Sequence, residues 1–438
     1  MHNFYNEWAG DDIFDLAKEL WPINRSITGD GVRQSLSILK KHIPDLCLFE
    51  VPTGTKVFDW TIPKEWKVKD AYIIAPSGEK ICSFKENNLH LVGYSTKFHG
   101  ILNLSQLQNN LYSLPDQPSA IPYITSYYEE RWGFCLSQQM RDSLEDGDYE
   151  VFIDSELFDG SLTYGELLIK GKTDEEIFIS TYICHPSMGN NELSGPSVST
   201  FIAKWLVGRP NNRFSYRFIF VPETIGSITY LSKNKDHLKD KVIAGFNISC
   251  IGDNRNYSYL PSRNGNTISD IVSKHVLKHI CPDFISYKWK DRGSDERQYC
   301  SPGIDLPVAS IMRSKYGTYD EYHTSLDDLI NVVTPKGLDG GFKALKLAIE
   351  ALEENKYPMV NVFCEPQLGK RNLYPTLSSK SSGDEISLMM NFITWSDGTN
   401  SMLDIAEICD VPIWKLYPIA KILSQHNLIT LFDNRVIL

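Results

Sequence analysis

Six side chains in this sequence suit metal or acid–base chemistry: His185, Glu192, Glu223, Asp253, Asp295 and His323. A metal hydrolase needs nitrogen and oxygen ligands from several segment ends, a carboxylate base and an open metal position. "ICHPSMGNNELSGP" supplies His185 and Glu192, "FIFVPETIGS" supplies Glu223, and "NISCIGDNR" supplies Asp253. "DEYHTSLDDL" supplies His323 beside Asp320 and Glu321, which can orient an imidazole from behind. Each residue also has a plainer explanation. His185 serves equally as a hydrogen-bonded strand-edge residue, and Glu192 and Ser194 as helix caps. Asp253 can close an Asx-turn, and the His323 stretch can open a helix. Glu223 resists this treatment, because a carboxylate after a very apolar strand is costly to bury unpaired. His275 and His279 have the i,i+4 spacing of a metal pair, but their stretch offers no acidic partner and they read as surface residues.

The elements around these residues must hold them together. From about residue 165 the apolar pattern alternates between strand and helix, which predicts an α/β domain with a mostly parallel sheet covered by helices. Ligands gather at the carboxyl ends of such strands. His185, Glu223 and Asp253 each follow a predicted strand, and that shared placement is the main fold-level argument for a site. Residues 11–43 read as helical around a polar turn, "RSITGDG". Residues 51–159 carry short aromatic and β-branched runs broken by Pro and Gly, a β-rich insert. The α/β domain is then discontinuous, 1–50 with 160–360. After a polar break, 383–438 has the order helix, turn, helix, helix, strand of a winged helix-turn-helix. Its recognition helix offers Lys415, Lys421 and His426 with no arginine, so protein docking is the plainer expectation than DNA reading.

The 438 residues carry a formal charge of −11, which argues against a nucleic-acid or membrane-surface partner. No apolar run reaches the ~20 residues of a membrane span. The N-terminal stretch lacks a signal-peptide layout, and nine scattered cysteines without a CxxC pair fit reduced thiols, so a cytoplasmic location is expected.

The order of motifs resembles the co-catalytic dizinc aminopeptidase superfamily, through "CHPS", "GNNELSG", "PETIGS", "NISCIGD" and "EYHTS". "RSITGDGVR", "KVFDWTIPKEW" and "IPYITSYYEERWGFCLS" are similar to a bacterial aminopeptidase-like family linked to polysaccharide biosynthesis, over nearly the whole chain. The resemblance implies zinc, one or two ions, with His185 and His323 as ligands and Glu223 as general base. Three carboxylate positions of the dizinc pattern are changed: they read Asn191, Thr224 and Ser249. Glu192 and Asp253 stand nearby as substitutes, while Asp295, Arg297 and Tyr322 are candidates to position substrate or an oxyanion. The expected reaction is hydrolysis of an amide in a small peptide or an N-acylated metabolite. The rivals are a metal-poor binding protein on the same fold and a ligand-sensing regulator that uses the winged helix. A homo-oligomer is a further expectation.

Overall fold

The computed structural model describes residues 8–373 and 380–436. They form two compact units. One runs to Asp270 and includes Phe284–Lys343; the other is Ile271–Asp283 with the chain from Ala344 onward.

The first unit is built on an eight-stranded sheet. Its centre is four parallel strands in the order Ser215–Val221, Glu176–Tyr182, Val242–Asn247 and Val308–Met312. These runs are buried on both faces, as a parallel sheet between helices requires. Helices Ser194–Val207 and Ile225–Lys241 supply the crossovers and pack on the sheet. The α/β expectation is met at this centre, and antiparallel strands flank it. Cys47–Pro52 and Ser161–Ile169 extend one side. Ser258–Leu260 and Ile285–Ser286 extend the other, antiparallel to the centre through Val308–Met312. Strands of two or three residues carry too little periodicity to be read from sequence.

The stretch after Pro52 is β-rich. A second sheet orders Lys80–Ile81, Glu65–Ile74, Asp148–Phe158 and Phe98–Asn103, all antiparallel. It is not a compact unit of its own. Trp66, Tyr94, Phe134 and Val151 share one apolar cluster with Val51, Tyr164 and Phe178 of the large sheet.

In the second unit, helices Lys380–Trp395, Met402–Ile408 and Leu416–Gln425 lead to the strand Ile429–Phe432. Ser401 caps the middle helix in a reciprocal box with Asp404. The last strand pairs antiparallel with Tyr357–Val360, so the winged-helix architecture reaches back before residue 383. Among the described residues no helix is long and apolar enough to cross a membrane.

Candidate active site

The carboxyl ends of the central strands are strained. Ser187, Thr224, Cys250 and His323 have φ of 29°, 63°, 51° and 56°. Positive φ is uncommon outside glycine, a genuine outlier for β-branched threonine, and concentrates at functional sites. After Ser187 the chain makes one π-helical turn, Gly189–Leu193, before the α-helix begins at Ser194. Single π turns are rare and favour functional positions. Gly195 is required there: a Cβ would lie 2.5 Å from both Ile248 O and Thr181 Oγ1.

His185 is 5% exposed and lies among ionisable partners. Its Nδ1 is 3.0 Å from Glu192 Oε2 and 3.3 Å from Cys184 Sγ. Its Nε2 faces Glu223 Oε2 at 3.7 Å. Behind Glu192 lies Arg25, which the sequence reading passed over as part of a polar turn. Arg25 Nε donates to His185 O at 2.9 Å and is 3.6 Å from Glu192 Oε1, with both side chains fully buried. Burial opposes the His185 imidazolium, but Cys184 and Glu192 hold its pKa well above the ordinary value. Burial pushes the Cys184 thiol up to about 11.

Glu223 is held by the turn that follows it. Thr224 N–H donates to Asp295 Oδ1 at 2.7 Å, Ser227 Oγ donates to the same oxygen at 2.8 Å, and Arg297 donates to Thr224 Oγ1 at 2.8 Å. Asp295 is fully buried, and burial with the nearby Glu223 charge lifts its pKa to about 8. Asp295 and Arg297 therefore brace Thr224 in its positive-φ conformation. Burial also raises Glu223, against the pull of His185 and Arg297.

His323 completes the group from the opposite side. Its ring centroid is 5.5 Å from that of His185, and Tyr322 stacks on it at 3.9 Å and 14°. Burial, then the His185 charge, depress its pKa to about 3. Tyr123, from the aromatic stretch that opens with Ile121 and Pro122, packs on His185 at 5.0 Å and His323 at 5.2 Å. The Tyr123 N–H donates to His323 O at 2.9 Å, fixing this wall.

Asp253 is held by its own set of hydrogen bonds. Its Oδ2 accepts from Asn190 Nδ2 and Ser314 N–H, both at 2.9 Å, and its Oδ1 closes an Asx-turn to Arg255 N–H at 2.7 Å. Asp327, not singled out from sequence, accepts the backbone N–H groups of Asn190 and Asn191 at 2.7 and 2.9 Å, and burial raises it to about 6. His275, expected at the surface, is buried. Its Nδ1 bonds Glu407, and its Nε2 accepts from Ile413 N–H at 2.9 Å. The acidic partner missing from its own helix thus comes from Met402–Ile408.

A family model described as a domain of unknown function, DUF4910, matches residues 14–355, and a winged helix-turn-helix model matches 355–431. The chain belongs to the DUF4910 family. A Clostridium acetobutylicum protein, provisionally named for polysaccharide biosynthesis with an aminopeptidase-like domain, is 48% identical over 91% of each chain. A crystal structure from the same organism, provisionally named a peptidase, is 46% identical, with TM-score 0.90 over 97% of this chain and 96% of its own. A zinc aminopeptidase of Bacillus subtilis shares the fold at 12% identity and TM-score 0.55, covering 79% of this chain and 95% of its own. The DUF4910 portion therefore has an aminopeptidase-like fold.

The zinc that such relatives bind must be tested against the donors present here. Two ions do not fit the donors: Asn191, Thr224 and Ser249 offer no carboxylate, Asp253 already accepts three hydrogen bonds, and Glu192 meets the fixed charge of Arg25. One ion fits better. Glu192 on Nδ1 leaves His185 Nε2 free, the carboxylate–histidine pairing that orients zinc ligands. Tyr182 Oη lies 2.7 Å from both Asn191 O and Asn191 Oδ1, yet has one proton, while Asn191 Nδ2 is buried without a partner. Turning the amide resolves both faults: Nδ2 donates to Tyr182, and Oδ1 becomes a buried, unpartnered oxygen of the kind a cation requires.

Proposed function

We propose that this DUF4910 chain is a mononuclear zinc hydrolase that cleaves an amide bond in a small peptide or an N-acylated metabolite. His185 Nε2 and His323 would hold the ion, with the Asn191 amide oxygen as a neutral third donor. The observation that carries the reading is the free His185 Nε2 facing Glu223, backed by Glu192 on the other ring nitrogen. Zinc, when bound, supplies polarisation of a carbonyl and a lowered pKa for water. Glu223 takes the proton from the attacking water and returns it to the leaving nitrogen. Burial raises its pKa above the ordinary carboxylate value, the direction a general base needs. Asp295 and Arg297 keep Glu223 aimed by bracing Thr224, and Tyr123 and Tyr322 close the wall around the imidazoles. The name of the Clostridium acetobutylicum relative adds N-acylated sugars to the candidate substrates.

The buried Arg25–Glu192 pair favours a second reading, a binding protein that has given up the metal. Metal analysis by inductively coupled plasma mass spectrometry, on wild type and His185→Ala, separates the two. About one zinc per chain, lost in the variant, supports the hydrolase. No zinc after loading removes it in favour of the binding protein. A panel of short peptides and N-acyl amino sugars then sorts the substrates.

A further inference from the structure

Among the described residues four cationic side chains are buried: Arg25, Arg217, Arg313 and Lys315. A buried charge is normally paired. Arg25 meets Glu192, and Arg217 meets Glu176 and Glu166. Arg313 and Lys315, 9% and 7% exposed, have no carboxylate in ion-pair range among the described residues. Arg313 Nε donates to Asp253 O at 2.8 Å, and its guanidinium lies 3.9 Å over the Tyr257 ring. Lys315 Nζ donates to Tyr316 O at 3.1 Å and lies 3.9 Å over the Tyr316 ring. Ring faces stabilise a cation without cancelling its charge.

Both residues line one cavity of about 420 Å³, with Arg255 at its rim. The lining also holds Asp320 and Glu321; Glu321 is taken by Arg255, and neither carboxylate pairs with Arg313 or Lys315. Asp253 builds this lining: the residue anchors the Arg255 backbone, the Ser314 backbone and the Arg313 side chain. The cavity adjoins the catalytic group through two rings. Tyr319 lines it and meets Tyr322 at 5.7 Å, and Tyr322 stacks on His323.

We propose that this cavity binds an anionic group, phosphoryl or carboxylate, at one end of the substrate, with Arg313, Lys315 and Arg255 as its recognition residues. The assignment of that anion to a substrate rests on the hydrolase reading; the binding of an anion does not. Arg255 now pairs with Glu321 at 2.7 Å, and an incoming anion takes the place of that carboxylate.

Titration calorimetry of the full-length protein with inorganic pyrophosphate and with malonate tests this without turnover, so it can fail independently of the hydrolase. At least one anion should bind, and about tenfold or more weakly to Lys315→Met and to Arg255→Gln, since each removes a charge-assisted contact. Tighter pyrophosphate identifies the phosphoryl class, and tighter malonate the carboxylate class. Lys315→Met keeps the buried stem; if it fails to fold, Arg255→Gln at the exposed rim decides. Silence with both anions at millimolar concentration, or affinities unchanged in the folded variants, overturns the proposal.

Discussion

Glu192 reaches His185 at Nδ1, 3.0 Å away, while its other oxygen lies 3.6 Å from Arg25. One carboxylate thus balances a buried guanidinium and fixes which imidazole nitrogen is left for chemistry. Replacing a single member of a buried ion pair strands the other charge. Glu192→Gln should therefore lose about 3–5 kcal/mol of stability in urea unfolding. An unchanged midpoint would mean that Arg25 finds solvent or another acceptor.

Glu223 is placed as a base, and the alternative is that it is a ligand. Glu223→Gln should lower turnover about a hundredfold or more while leaving the zinc content intact. Loss of zinc together with activity would move Glu223 into the ligand set.

Asp295 acts through hydrogen bonds to Thr224 and Ser227 rather than through charge. Asp295→Asn keeps an acceptor oxygen and should retain most of the stability. Asp295→Ala leaves the Thr224 N–H unpaired and should cost about 1–3 kcal/mol. It should also lower kcat more than it raises KM, because Glu223 loses its aim. Equal effects from the two variants would contradict the brace.

The second unit should weaken in mild acid. Burial depresses the His275 pKa below 6.5, against the opposing pull of Glu407. The folded state then binds its proton less readily than the unfolded chain, so this contribution is present above about pH 6.5 and is lost as pH falls. Trp414, whose ring is 6.2 Å from His275, can report the change by fluorescence during urea unfolding at pH 7 and pH 5. His275→Gln should flatten the difference; a lower midpoint at pH 7 than at pH 5 would reverse the sign.

His323 was legible because it stands beside carboxylates, and His185 and Glu223 because each follows an apolar run, where a polar residue needs a reason. The four-strand parallel centre was legible for the same cause. Glu192 and Asp253 were visible as carboxylates, but sequence cannot tell which imidazole nitrogen a carboxylate faces, nor whether backbone N–H groups already occupy it. Arg25 and Asp327 were hidden, since their partners lie 160 and 137 residues away and leave no local pattern. Tyr123 was hidden differently: an aromatic stretch looks the same whether it fills a core or lines a site.

The stitching of that aromatic stretch bears on how the molecule assembles. Ile121 N–H donates to Ser325 Oγ across 204 residues, and Ser325 N–H returns a bond to Ile121 O at 2.9 Å. The His323 wall cannot form until these remote segments meet, and contacts of such long sequence separation are slow to close. During synthesis the wall around His323 therefore closes only after Ser325 has emerged to meet Ile121.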